Sequence, residues 1–288
     1  MVEKNNTRFD PLDKEVHGTH LKEAPEKPAP YHRHNGYEIY LFLKGNIRYY
    51  IEDRCYELEK GDLVLLNKKE MHRAVCLEKG LYDRISIYIS ESYINQISSR
   101  NTNLSSCFNM RDNGENNVIK LSADKCKEFV TLSDRLIEAE KGEKFGDDIL
   151  TRSCAEQLLL IANQEYIKAN LDSNHKFNNV MPDLIRNVMN YIEENIQNDI
   201  TLDKISDKFY LNGTHISRKF KKHTGLTMRS YIVDRRVAHA EELLGSGKNV
   251  SEAARLSGFN DYSNFIRTFH KVVGITPGQY VKEHNNIS

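Results

Sequence analysis

The chain lacks several features that would each fix a class. No apolar run in its 288 residues is long enough to cross a bilayer. The first ten residues, MVEKNNTRFD, hold no apolar segment of a secretory signal, so the expectation is a cytoplasmic protein with no membrane partner. Five cysteines (Cys55, Cys76, Cys107, Cys126 and Cys154) are scattered, odd in number and never spaced as CxxC. That argues against a disulfide framework or a zinc knuckle and predicts reduced thiols. Net charge is absent too: 41 basic and 41 acidic side chains cancel, which argues against an all-over nucleic-acid binder.

The charge is unevenly placed, however. From Lys208 to Val233 there is no Asp or Glu, while Lys208, Arg218, Lys219, Lys221, Lys222 and Arg229 all fall there. Such a block is either an electrostatic footprint for phosphates or a solvated helix face.

The texture of the sequence changes along its length. Residues 1–30 are polar, with Pro25, Pro28 and Pro30 near the end, and read as a partly extended arm. From Tyr31 to about residue 90, "YEIYLFLKG", "IRYYIED", "CYELEKGDLVLLN" and "LYDRISIYIS" are strand-like segments, predicting an antiparallel barrel or sandwich. Two helices follow at about 124–169. One has Phe129, Leu132, Leu136 and Ile137 on a face; the other carries Ile149, Leu150, Ala155, Leu158, Leu159 and Ala162. The second stripe exceeds one face, so it packs on the barrel alone or on a partner copy as well. Residues 31–169 are therefore expected to form one domain, 170–179 a polar linker and 180–288 a helical domain.

The helical domain contains a repeat. "TLDKISDKFYLNGTHISRKFKKHTGLTMRSYI" from Thr201 aligns with "NVSEAARLSGFNDYSNFIRTFHKVVGITPGQYV" from Asn249. Arg218 falls on Arg267, Phe220 on Phe269, Gly225 on Gly274, Thr227 on Thr276 and Tyr231 on Tyr280. Each unit reads as a short amphipathic helix, a tight turn, an N-cap (Asn212 or Asp261) and a second helix stopped by glycine. That is a helix-turn-helix, over about 201–225 and 249–274, and the second helix of such a unit can enter the DNA major groove.

On these residues the C-terminal third resembles the AraC/XylS family of bacterial transcription regulators; "GF…D.S.F.R.F.K..G.TP..Y" in the second unit is the most specific part. The resemblance implies seven helices, with a long one at about Met228–Leu244 joining the two units. It implies base contacts from Thr214, Ser217 and Arg218 in the first unit and from Tyr262, Ser263, Ile266 and Arg267 in the second. Arg218 and Arg267 can each donate two bonds to guanine, or hold a phosphate instead. Lys221, Lys222 and His223 are expected on phosphates, and Phe220, Phe265 and Phe269 in the core.

The N-terminal stretch "HRHNGYEIYLFLKG" resembles the first motif of the cupin barrels, and "GDLVLLNKKEMH" the second, with His72 in the place of the fourth ligand. Asn67, Lys69 and Cys76 depart from the usual proline, glycine and asparagine. In a strand His32, His34, Tyr40 and Phe42 share parity with Glu38, so all could face one interior. Three imidazoles and a carboxylate could bind a divalent transition metal, hydrogen-bond a small molecule without metal, or only stabilise the barrel. The effector pocket is expected at His32, His34, Glu38, Tyr40 and His72, with no cofactor required.

The expected whole is a two-domain β + α chain: a cupin-like barrel with amphipathic helices, then an all-α domain with two helix-turn-helix units. The resemblance implies a non-enzymatic, homodimeric regulator of double-stranded DNA that acts with RNA polymerase and answers to a sugar-like effector. The alternative is a metal-dependent cupin isomerase or dioxygenase with an accessory helical domain.

Overall fold

The computed structural model describes residues 9–10, 14–23, 31–78, 80–171 and 179–285. They divide into two compact units, one containing Arg33–Val180 and the other Met181–Ser288.

A two-residue strand, β1 (Phe9–Asp10), opens the described residues. The strands that follow are β2 (Val16–Glu23), β3 (Arg33–His34), β4 (Gly36–Lys44), β5 (Ile47–Ile51), β6 (Arg54–Glu57), β7 (Asp62–Leu66), β8 (His72–Cys76), β9 (Leu81–Ser90) and β10 (Val118–Lys120). Short helices α1 (Glu91–Ile97) and α2 (Ser106–Asn109) separate β9 from β10, and α3 (Ala123–Ala139) and α4 (Asp147–Leu171) follow. Five strands form an antiparallel sheet in the order β10-β7-β4-β9-β2, and three more the sheet β6-β5-β8.

Strand β4 explains how the layers are built. Its odd residues Tyr37, Ile39 and Leu41 join a core with Phe129, Leu132 and Leu136 of α3 and Leu158, Leu159 and Ala162 of α4. Its even residues Tyr40 and Phe42 join Ile47, Tyr49 and Ile51 of β5 between the sheets. Side chains alternate along a strand, so a strand covered on both faces is apolar almost throughout. Each of the buried Leu, Ile and Phe side chains among them stabilises the fold by about 1.5–3 kcal/mol.

Residues 16–23 belong to this sheet as its edge strand, pairing with β9 from Val16↔Ile89 onward, although the polar N-terminal stretch reads as an arm. The alternation is hidden because the inward position is Gly18, where a Cβ would lie 2.7 Å from Ile137 Cγ1. Helix α3 sits too close for any side chain there. Of the expected linker at 170–179, α4 takes the first two residues, ending at Leu171, and 172–178 lie outside the described residues. The remainder of the expected arm, other than 9–10 and 14–23, lies outside them as well.

The second unit holds seven described helices: α5 (Asp183–Glu194), α6 (Leu202–Phe209), α7 (Gly213–Thr224), α8 (Met228–Gly245), α9 (Val250–Leu256), α10 (Tyr262–Val273) and α11 (Pro277–Asn285). The internal repeat has a structural cause. Phe220 meets Tyr231 edge-on at 5.4 Å, and their counterparts Phe269 and Tyr280 meet edge-on at 5.7 Å. Gly225 and Gly274 both close their helices in the left-handed region, with φ of 73° and 91°. Only glycine takes that conformation without penalty. Phe220, Phe265 and Phe269 have no exposed surface, in keeping with a core role.

Candidate functional site

Two places in the fold concentrate polar chemistry. The first lies between the two sheets. His34 on β3, Glu38 on β4 and His72 at the start of β8 are 2%, 3% and 1% exposed. His34 Nε2 is 3.1 Å from Glu38 Oε2, and His72 Nε2 is 3.0 Å from the same oxygen. His32, His34 and His72 each offer a nitrogen, all within 4.8 Å of one another. Burial pushes the Glu38 carboxyl up, but the hydrogen bonds and charge of His34 and His72 prevail and hold it well below the usual carboxylate range.

His72 is fixed from behind. Its Nδ1 lies 2.9 Å from the Glu70 carbonyl oxygen, which can only accept, so Nδ1 carries a proton. Nε2 therefore faces an ionised carboxylate, a contact that is attractive only with a proton or a cation between the two. The donor set of imidazole nitrogens and one carboxylate oxygen, with a histidine oriented by a backbone carbonyl, fits a divalent transition metal. Among these residues His32, His34, Glu38 and His72 would hold it.

Tyr40 lies elsewhere in the same interior. Its phenol shares a short hydrogen bond with the Tyr82 phenol, and its ring packs 4.7 Å from that of Tyr49. Tyr49 in turn stacks on His72 at 6.2 Å, and Tyr88 meets the His34 ring edge-on at 4.8 Å. Burial keeps the Tyr82 phenol protonated, pushed up to about 12. Tyr40 thus reaches the histidines through Tyr49, while Tyr88, at even parity opposite Glu38, stands beside them.

Sequence reasoning missed Glu70 and Arg111, whose side chains are 0% and 1% exposed. Arg111 donates to both Glu70 oxygens, at 2.5 and 2.8 Å. The Asn67 and Gly114 amides and the Asn117 side chain also donate to Glu70, at 2.9, 2.7 and 3.0 Å. This clasp shapes the turn of residues 67–71 that delivers His72 to the site. The only signal for it in the sequence was the departure at Asn67, whose side chain accepts from the Lys69 amide.

The second place is the surface of the helical unit. Asn212 accepts from the Thr214 and His215 amides and Asp261 from Asn264, so both recognition helices begin where the caps predict. Thr214, Arg218, Lys221 and Lys222 are exposed on α7, Ser217 and His223 half-buried. On α10 Tyr262, Ser263 and Arg267 are exposed, and Ile266 is partly buried against the core of its own unit. A cleft of about 540 Å³ has Ser217 of α7 and Asn264 of α10 on its walls, so both helices border one opening. Helix α8, 18 residues long, joins the two helix-turn-helix units. Among the described residues no helix is long and apolar enough to cross a membrane.

Both places fall within regions that match known families. The AraC-like ligand binding domain family matches residues 20–153, and a helix-turn-helix domain family matches 205–283. The protein named Probable transcriptional regulator LumQ, from Photobacterium leiognathi, is 24% identical over 90% of this chain and 94% of its own length. An uncharacterized HTH-type transcriptional regulator of Staphylococcus aureus is 23% identical over 90% of this chain, which spans only 33% of that longer protein. A solved structure from Listeria innocua, of unknown function, is 32% identical over 36% of this chain and 99% of its own, with a TM-score of 0.34. With an AraC-like ligand binding domain over 20–153 and a helix-turn-helix domain over 205–283, the chain has the make-up of a DNA-binding transcription regulator.

Proposed function

We propose that this regulator senses a small polar molecule, of sugar-like chemistry, in the interior pocket bounded by His32, His34, Glu38 and His72. The observation that carries the reading is the buried carboxylate shared by two imidazoles: donors and acceptors at close range suit the hydroxyls of such a ligand. Tyr49 and Tyr88 supply apolar faces beside them. Arg218 and Arg267 read bases, with Thr214, Ser217, Tyr262 and Ser263 beside them. Ile266, half-buried, offers at most an apolar contact to a thymine methyl, and Lys221, Lys222 and His223 meet phosphates. The chain works as a homodimer through the outer face of α4, where Ile149, Leu160, Ile167 and Leu171 are 66%, 39%, 54% and 80% exposed. Ligand binding shifts the population of arrangements in which two DNA-binding units engage their sites, and so contact with RNA polymerase.

A second reading has its own observation. The contact between Nε2 of His72, whose Nδ1 proton is held by the Glu70 carbonyl oxygen, and ionised Glu38 is also satisfied by a metal cation, which would supply Lewis acidity to a bound ligand or, in the enzymatic alternative, to a substrate. Elemental analysis separates the two. A stoichiometric transition metal that is lost on His34→Ala supports the metal reading. Stabilisation of metal-free protein in a thermal-shift screen of sugars supports the first, and no stabilisation by any sugar counts against it.

A further inference from the structure

The repeat places a bulky residue where its twin has a glycine. In each unit the residue that ends the turn's approach to the recognition helix is left-handed: Tyr210 with φ 54° and Gly258 with φ 85°. At Gly258 the choice is forced, since a Cβ would lie 2.2 Å from the Ile196 carbonyl oxygen. At Tyr210 nothing forces the opposite choice. A tyrosine there carries the steric cost of the left-handed region, and its side chain is 93% exposed. Among the described residues no hydrogen bond engages its phenol. Its backbone N–H closes α6 on the Ser206 carbonyl oxygen, but among the described residues its side chain neither packs nor bonds within its own unit.

Its surroundings do suggest a task. Lys208 before it and Leu211, Asn212, Thr214 and Arg218 after it are all exposed, and no acidic residue lies between Lys208 and Val233. In a helix-turn-helix the second helix enters the groove by its N-terminal end while the first crosses the phosphate backbone. The turn between them stands where the chain passes from one to the other. We propose that the Tyr210 phenol donates a hydrogen bond to a DNA phosphate oxygen beside the first recognition helix, fixing its register without reading sequence. This rests on the DNA-binding assignment.

The test is fluorescence anisotropy of full-length protein on two duplexes, one enriched by this protein from a random pool and one of random sequence. Tyr210→Phe removes only the hydroxyl and is expected to weaken both duplexes by a similar factor, about tenfold for a hydrogen bond to a charged group. The salt dependence of binding stays as in wild type, because a neutral phenol displaces no counterion, whereas Lys208→Ala flattens it. Tyr210→Gly is expected to lose the same affinity while its melting temperature holds or rises, since glycine takes the left-handed region freely. Wild-type affinity in Tyr210→Phe overturns the inference, as does a loss confined to the enriched duplex, which would make Tyr210 a base reader. If Tyr210→Gly melts lower than wild type, the residue has a structural role and the inference fails. Arg218→Ala is the control: if it and wild type alike bind neither duplex, the DNA-binding assignment has failed, not this one.

Discussion

Glu38 reaches out of the five-stranded sheet to within 3.0 Å of His72, the first residue of a strand in the three-stranded sheet. One carboxylate oxygen thus ties together two sheets and two motifs that are far apart in the chain. Any ligand that enters between the histidines has to exchange its own groups for that contact.

Glu38→Gln is the corresponding prediction for sensing. The amide keeps the shape and removes the charge that both imidazoles face. The sugar that raises the melting temperature of the wild type most is expected to leave that of the variant unmoved. Affinity for DNA is expected to stay at the wild-type value. Loss of DNA binding with the sugar response intact would put Glu38 in the wrong role.

Arg111→Ala leaves the buried Glu70 side chain without its guanidinium partner. Removing one partner of a buried pair costs about 3–5 kcal/mol. Urea denaturation followed by circular dichroism should record that loss, and His72 should lose its orientation with it. A variant within about 0.5 kcal/mol of wild type, the range of an ordinary surface change, would contradict the clasp.

Glu140 sets a pH dependence. Burial pushes its carboxyl up, but Lys14, the Gly18 amide and His17, at 2.6, 2.9 and 2.7 Å, hold it below the usual value. A carboxyl lowered by folding adds stability above its unfolded value of about 4.3, and that stability is lost as pH falls through the folded one. The melting temperature of wild type should therefore fall more steeply than that of Glu140→Gln as the solution is acidified from about pH 5. Parallel curves would show that the anchor of β2 on α3 does not titrate.

Helix α4 carries the prediction for assembly. Leu160→Glu with Ile167→Glu places charges on the outer face without touching the buried side, where Leu158, Leu159 and Ala162 have no exposed surface. Sedimentation velocity should move from dimer to monomer with the fold unchanged. A wild type that sediments as a monomer would remove the interface from the account.

What was legible in the sequence was local or repeated. The helix-turn-helix units could be read because caps, glycine stops and the Phe220–Tyr231 and Phe269–Tyr280 pairs recur at one spacing. His34 and Glu38 could be read as a pair from the motif spacing, but their contact comes from the bend at Asn35 between β3 and β4, since four residues of one extended strand span about 13 Å. The clasp could not, because Arg111 comes to Glu70 from a loop before β10 and nothing near Glu70 announces it. Strand β2 was hidden by Gly18, where close packing against α3 replaced the apolar side chain that reveals an edge strand. Tyr210 passed as part of a turn until its backbone set it beside Gly258.

Sequence reading by the paired helix-turn-helix units is tested by the affinity of Arg218→Ala for the enriched and random duplexes. Wild type is expected to prefer the enriched duplex, and Arg218→Ala to lose about 1–3 kcal/mol there with little loss on random DNA. An equal loss on both duplexes would contradict base reading by Arg218, and a wild type that does not distinguish them would contradict sequence reading itself.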